Sequence, residues 1–101
     1  MIDAEREVRY LIYRITENDE DAFRLFYDKF YLKIYKYVSS FTKNTRVREE
    51  IVSDVFFNFW QNRSKNINIE NIDGYLYVIA KNTALSYIKN RDYIFTDMEV
   101  L

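Results

Sequence analysis

The side chains best suited to chemistry in this sequence are carboxylates, which cluster at residues 19–21 and 49–50. Both clusters stand at the predicted start of a helix, where the helix dipole stabilises anions without any chemistry. Neither has the ligand spacing of a calcium-binding loop. The absence of His and Cys removes the commonest acid–base group, the thiolate nucleophile and the zinc ligands. Carboxylate-only catalysis stays formally open but has no supporting pattern, so we expect no enzyme, no metal site and no cofactor.

The composition predicts one globular domain. The chain has 101 residues, 49% of them hydrophobic and 31% charged, with a formal net charge of −1. This length allows one real core, and this balance excludes a disordered chain. The apolar runs are too short to span a membrane, and the charged N-terminus differs from a signal peptide. We therefore expect a cytoplasmic protein without membrane insertion. A glycine-rich phosphate-binding loop is also excluded, because Gly74 is the only glycine.

Apolar residues recur at helical spacing, and few positions would interrupt a helix because there is no Pro and one Gly. We predict an all-α fold, a single compact domain of about four helices. Residues 63–70 are polar with interspersed Ile and are expected to form a loop, extended in part. The expected helices are about 3–17, about 20–41 with Asp19 as its cap, a third from a cap at Asn44 or Thr45 to about 62, and a fourth from a cap at Asn71 or Asp73 to about 90.

Each predicted helix has an apolar stripe that would face the core, and the stripe of the third helix covers more than half of the circumference. The residues expected in these stripes are Val8, Leu11, Ile12 and Ile15; Phe23, Phe26, Phe30, Ile34, Tyr37 or Val38, and Phe41; Val47, Ile51, Val52, Val55, Phe56, Phe59 and Trp60; and Leu76, Ile79, Ala80, Thr83 and Tyr87.

Phe57 falls outside the apolar arc of the third helix. It lies in a polar sector with Glu50, Ser53, Asp54 and Gln61. An apolar centre with a polar rim is typical of a partner-binding site. The alternative is that Phe57 packs under the long loop or the C-terminal tail, since single exposed apolar residues are common.

The fourth predicted helix is the one clearly basic segment. From Gly74 to Arg91 it has three basic residues and no acidic one. An aromatic ring, amides, hydroxyls and cations on one face suit base stacking, base-edge contacts and phosphate contacts. An ordinary solvated face, with cations favoured near a helix C-terminus, explains the same pattern. The residues that share or flank this face are Tyr75, Lys81, Asn82, Ser86, Lys89 and Arg91.

Three sequence blocks resemble region 2 of the sigma-70 family, most of all its small extracytoplasmic-function group. They are residues 21–27 (DAFRLFY), 49–60 (EEIVSDVFFNFW) and 74–84 (GYLYVIAKNTA). The blocks occur in the family's order and spacing and extend over about residues 19–91, and the last block is the most specific. The resemblance implies a domain at 1–91 and a tail or interdomain linker at 92–101, with the family's second domain, which binds the promoter −35 element, absent.

The resemblance also implies two binding surfaces. The third helix would dock on the clamp helices of the RNA polymerase β′ subunit through Glu50, Ser53, Asp54, Phe57 and Trp60. The fourth helix and the preceding loop would recognise and open the −10 element, on its non-template strand, with a flipped base held within 66–71. The implied DNA contacts are Asn66, Asn68, Asn71, Tyr75, Lys81, Asn82, Ser86 and Lys89. An anti-sigma factor is a further candidate partner.

This chain departs from the family pattern at several of these positions. Ser53 replaces a usual Gln, Ser86 a frequent Asp and Tyr75 a frequent Trp, and Val78 and Ile79 stand where large sigma factors have melting aromatics. These changes imply a shortened polymerase contact and weaker DNA melting. Two other classes stay open: a protein-interaction module, an adaptor or sigma regulator, that uses Phe57 without sequence-specific DNA binding, and a general helical DNA-binding domain that uses only the fourth helix.

Overall fold

A computed structural model describes residues 3–90, except the side chains of Ile67 and Asn90, and this part of the chain is helical without a strand. The predicted tail at 92–101 and Arg91 lie outside the described residues. No helix within the described residues is long and apolar enough to cross a membrane. The elements are α1 (Ala4–Thr16), α2 (Glu20–Ser39), α3 (Thr45–Gln61), a 3-10 helix (Arg63–Asn68) and α4 (Ile72–Asn90). The all-α prediction is therefore confirmed.

Three of the predicted caps begin helices as expected. Asp19 accepts a hydrogen bond from the backbone amide of Ala22 at 3.1 Å, and Asn44 accepts from that of Val47 at 3.1 Å. The bond from the Ala22 amide, together with the Arg14 side chain, lowers the pKa of Asp19. Of the two caps predicted for the fourth helix, Asn71 and Asp73, the structure has Asn71, which lies directly before α4.

Gly74 is needed beside this last cap. Its amide donates to the side-chain oxygen of Asn71 at 3.0 Å. A Cβ atom at Gly74 would lie 3.0 Å from the Asn71 amide nitrogen and 3.2 Å from its Cγ, so any other residue would press on the cap. A glycine suits this position because the Asn71 side chain lies so close to the Gly74 backbone.

The prediction for residues 63–70 was wrong in part. Most of the segment forms the 3-10 helix, and only the residue after it, Ile69, is extended. The end of α2 also falls at Ser39 rather than Phe41, because the amides of Ser40 and Phe41 bond three residues back and tighten the last turn.

The core lies between α2 and its three helical neighbours. α2 packs against α1, α3 and α4, and α1 also packs against the 3-10 helix. Aromatic rings fill its centre, where Phe26 stacks on Phe59 with ring centroids 4.4 Å apart. Ala84 is buried although it was missing from the predicted stripe of α4. The buried residues of the predicted stripes are Val8, Leu11, Ile12, Ile15, Phe26, Phe30, Ile34, Val38, Val47, Ile51, Val52, Val55, Phe56, Phe59, Leu76 and Ala80.

Candidate functional site

The outer side of α3 presents an aromatic ring among polar groups. Phe57 has 61% of its surface exposed, and Ser53 and Asp54 are exposed one turn before it. Glu50 is half-buried at the same side of the helix. We call Glu50, Ser53, Asp54 and Phe57 the α3 face. Among the described residues no element covers Phe57, so the loop that was its alternative cover does not reach it.

Trp60 stands at the edge of the α3 face and is tied to other elements. Its half-buried ring lies 5.0 Å from the ring of Phe23 at the start of α2. The guanidinium of Arg63 lies over the indole, 4.2 Å from its centroid, a distance suited to a cation–π interaction. Trp60 therefore offers a partner only part of its ring.

A hydrogen bond connects the α3 face to α4. The hydroxyl of Tyr87 donates to a carboxylate oxygen of Asp54 at 2.6 Å. Tyr87 on α4 therefore holds the Asp54 side chain on α3 in one orientation. The carboxylate keeps a second oxygen for a partner because a carboxylate has two.

α4 turns a basic face to solvent. Its apolar residues Val78 and Leu85 are 52% and 45% exposed and fall between the cations on the helical wheel. Leu85 was not named in the sequence prediction, although the wheel places it there. Ile79, in contrast, is half-buried against the core. The predicted DNA contacts that are exposed on this helix are Lys81, Asn82, Ser86 and Lys89.

Tyr75, which the sequence predicts on this face, is half-buried, so only part of its ring is available there. Its ring packs against the core at an edge-to-face contact with Phe59, and burial raises the pKa of its hydroxyl. The hydroxyl donates to the side-chain oxygen of Asn66 at 3.0 Å. The reason is its position in the first turn of α4, where a side chain leans towards the helix N-terminus and so covers the preceding segment.

Asn66 is also turned inward, with 2% of its surface exposed. Its amide nitrogen donates to the backbone oxygen of Phe59 at 2.9 Å, and its oxygen accepts from Tyr75. Both ends of the side chain are therefore occupied, so we remove Asn66 from the expected DNA contacts and assign it to holding the segment in place. Asn68 and Asn71 are exposed, although Asn71 also caps α4.

A cavity of about 490 Å³ borders the segment between the 3-10 helix and α4. Its lining includes the apolar side chains of Val8, Ile12, Phe30 and Ile69 together with several polar and charged residues. Lys33 lies at its rim and donates to Asp73 at 2.9 Å, and this bond raises the pKa of Lys33. A lining that combines apolar and polar groups suits a flat ring with hydrogen-bonding edges.

Comparison with known proteins identifies the family of this chain. The sequence model of sigma-70 region 2 matches residues 26–93, which is more than half of the chain. A search of curated proteins found no significant match. Among solved structures, an NMR structure of the complex formed by an engineered region 2 of sigmaE in complex with GTAAAA has the same fold, with a TM-score of 0.79 and 23% sequence identity over 90% of this chain and 95% of that one. Because the family model matches over this length, the chain belongs to the sigma-70 region 2 family, a class of non-enzymatic transcription factor domains that generally bind RNA polymerase and recognise the −10 element.

Proposed function

We propose that this chain directs transcription initiation by docking on RNA polymerase through the α3 face and reading promoter DNA through α4. The observation that carries the proposal is the pair of exposed faces on adjacent helices, one centred on Phe57 and one basic. A factor that links an enzyme to a DNA sequence needs two such surfaces. Within the family we place the chain in the small extracytoplasmic-function group of bacterial factors, acting in the cytoplasm.

The polymerase contact is proposed for the α3 face and the exposed part of Trp60. Phe57 is a large apolar side chain without cover among the described residues, and the oriented carboxylate of Asp54 lies one turn away. A buried aromatic anchor with a polar rim is the usual distribution of binding energy at an interface. The proposed partner surface is the pair of clamp helices of the β′ subunit.

The DNA contact is proposed for the exposed face of α4 and for Asn68 and Asn71. Lys81 and Lys89 would contact phosphates, while Asn82 and Ser86 would contact base edges. The engineered region 2 of sigmaE is described in complex with GTAAAA, which supports a nucleic-acid role for this fold. We propose that a base flipped from the non-template strand is held beside residues 68–71, where the cavity lies.

The test is a selection from randomised single-stranded hexanucleotides, performed with the chain alone and with a β′ clamp fragment added. The expected result is enrichment of a −10-like sequence that strengthens when the clamp fragment is present. Enrichment is expected to be weak without it, because a net charge of −1 gives little electrostatic attraction to DNA. Absence of any enriched sequence in both arms would overturn the DNA-reading part of the proposal.

A second candidate function is a protein-interaction module that uses the α3 face alone, as an adaptor or a sigma-regulating domain without sequence-specific DNA binding. The observation that favours it is the exposure of Phe57 together with the slightly acidic net charge. Clamp binding without sequence enrichment in the same selection would support this function over the first.

A further inference from the structure

The segment 63–71, which joins α3 to α4, is tied at one end to the turn after α1 and at the other end to α1 itself. At its start, Arg63 donates from Nε to the side-chain oxygen of Asn18 at 2.7 Å and from Nη1 to the backbone oxygen of Trp60 at 2.8 Å. Asn18 lies in the turn two residues after α1 and has a positive φ of 66°, which Asn tolerates better than most residues. The turn that ends α1 therefore aims an acceptor at the start of the segment.

At the other end of the segment, the Arg9 side chain of α1 donates hydrogen bonds to two successive backbone carbonyl groups. Its Nη1 donates to the backbone oxygen of Ile69 at 3.2 Å, and its Nη2 donates to that of Glu70 at 2.9 Å. Because a guanidinium is a rigid planar fork, two such bonds fix the orientation of both peptide groups. Arg9 also lines the cavity beside the segment.

We propose that α1 is a brace that holds segment 63–71 in the conformation that reads a base, with Arg9 as its main positioning residue. Arg9 and Asn18 both lie outside residues 26–93, which match the family model, so this role is not part of the matched region. The inference rests on the proposed function, because it concerns the base held beside residues 68–71.

The hydrogen bonds of Arg9 are expected to affect the conformation of residues 69–70 more than the stability of the whole fold. Arg9 is exposed, and both of its acceptors are main-chain oxygens that water can satisfy when the side chain is lost. The core residues beneath α1 do not depend on these bonds. Loss of Arg9 therefore widens the range of conformations at residues 69–70 without removing apolar contacts.

The test compares Arg9→Met with Arg6→Met by fluorescence anisotropy on the hexanucleotide that the wild-type chain enriches. Each base of that hexanucleotide is replaced in turn by an abasic site, and the loss of affinity is recorded. Arg6 is the matched control because it is exposed on the same helix and makes no hydrogen bond or ion pair with a described residue. Melting temperature and clamp affinity are measured for both variants.

The wild-type chain and Arg6→Met are expected to lose affinity about tenfold when one particular base is removed, as for a specifically read position. Arg9→Met is expected to lose less than about threefold at that position, while the penalties at other positions, the melting temperature and the clamp affinity stay unchanged. Unchanged penalties in Arg9→Met would overturn the brace.

Arg9→Lys separates a brace from a direct phosphate contact. Lys keeps the charge but cannot form the fork, so a brace predicts that Arg9→Lys behaves like Arg9→Met at the sensitive position. If Arg9→Met instead weakens all hexanucleotides equally and Arg9→Lys restores them, Arg9 contacts phosphate and the inference is wrong. If the wild-type chain shows no sensitive position, the proposed base reading fails first and the brace fails with it.

Discussion

At the scale of single residues, Asn66 shows how a buried amide can hold the segment between α3 and α4 in place. It joins the backbone of Phe59 on α3 to the hydroxyl of Tyr75 on α4. We expect Asn66→Ala to lower the free energy of unfolding by about 2 kcal/mol, because it leaves a buried carbonyl without its donor. Urea denaturation followed by circular dichroism measures this change.

Tyr75→Phe is the matched control for Asn66→Ala, since it removes one hydroxyl and keeps the ring contact with Phe59. We expect it to lower the free energy of unfolding by about 1 kcal/mol, and the double variant to show coupling because the two residues share a bond. Additive effects of the two changes would contradict the link between α4 and the segment.

Phe57 is the residue on which the proposed polymerase contact depends. Phe57→Ala is expected to weaken binding to the clamp fragment about tenfold or more, as for a central aromatic anchor, and to leave the melting temperature almost unchanged because the ring is 61% exposed. Leu32→Ala, which truncates a side chain on α2 that is 77% exposed, is the control and should leave clamp affinity unchanged. Equal clamp affinity of Phe57→Ala and wild type, measured by calorimetry, would exclude this face.

At the scale of elements, the proposed function assigns some residues of α4 to base edges and others to phosphates. Asn82→Ala should change the preference at one position of the enriched hexanucleotide, because an amide reads a base edge. Lys89→Ala should weaken all sequences alike and reduce the slope of log affinity against log salt by about 0.7, the value for one single-strand phosphate contact. A salt titration of anisotropy with matched and mismatched hexanucleotides separates the two, and identical profiles would refute this division.

Elements formed by interactions between residues close together in the sequence were predicted correctly, and those formed by interactions between distant residues were not. The caps at Asp19 and Asn44 act within three residues, and the stripe of α1 repeats within one helix, so the sequence pattern was sufficient for both. The segment 63–71 depends on partners far away in the chain, since Arg63 bonds to Asn18 and the Ile69 carbonyl bonds to Arg9. Because these partners are not visible in the local sequence, the polar, Asn-rich residues 63–70 were predicted to form a loop.

The same reason explains which parts of the candidate surfaces were foreseen. Exposure of Phe57 follows from its angle on a single helix, as does the exposure of Lys81 and Asn82. The inward turn of Asn66 and Tyr75 requires α3, α4 and the segment to meet, which no local period encodes. The resemblance to the family supplied the functional meaning of the exposed faces, and the helical wheel supplied their positions.

At the scale of the whole molecule, α1 belongs to the same folding unit as the helices that carry the proposed surfaces, although it precedes residues 26–93 of the family match. Its four core residues are all at least nine-tenths buried, and burying side chains of this size contributes about 1.5–3 kcal/mol each, or on the order of 6–12 kcal/mol together as an upper bound. This is a gross contribution that the entropy cost of ordering α1 partly offsets, but it is large beside the net free energy of unfolding of a domain, about 5–15 kcal/mol.

Deletion of residues 1–17 is therefore expected to leave a chain without a cooperative urea transition, with exposed apolar surface that binds a hydrophobic dye. A synthetic peptide of residues 1–17, added in trans at excess, should restore helicity and cooperativity by mass action, because it returns the same apolar stripe to α2. The matched control is a peptide in which Leu11 and Ile15 are both Ser, which keeps the length but removes buried side chains. A deletion variant that unfolds at the wild-type urea concentration would show that α1 is peripheral, and the polymerase and DNA surfaces would then be carried by α2, α3 and α4 without it.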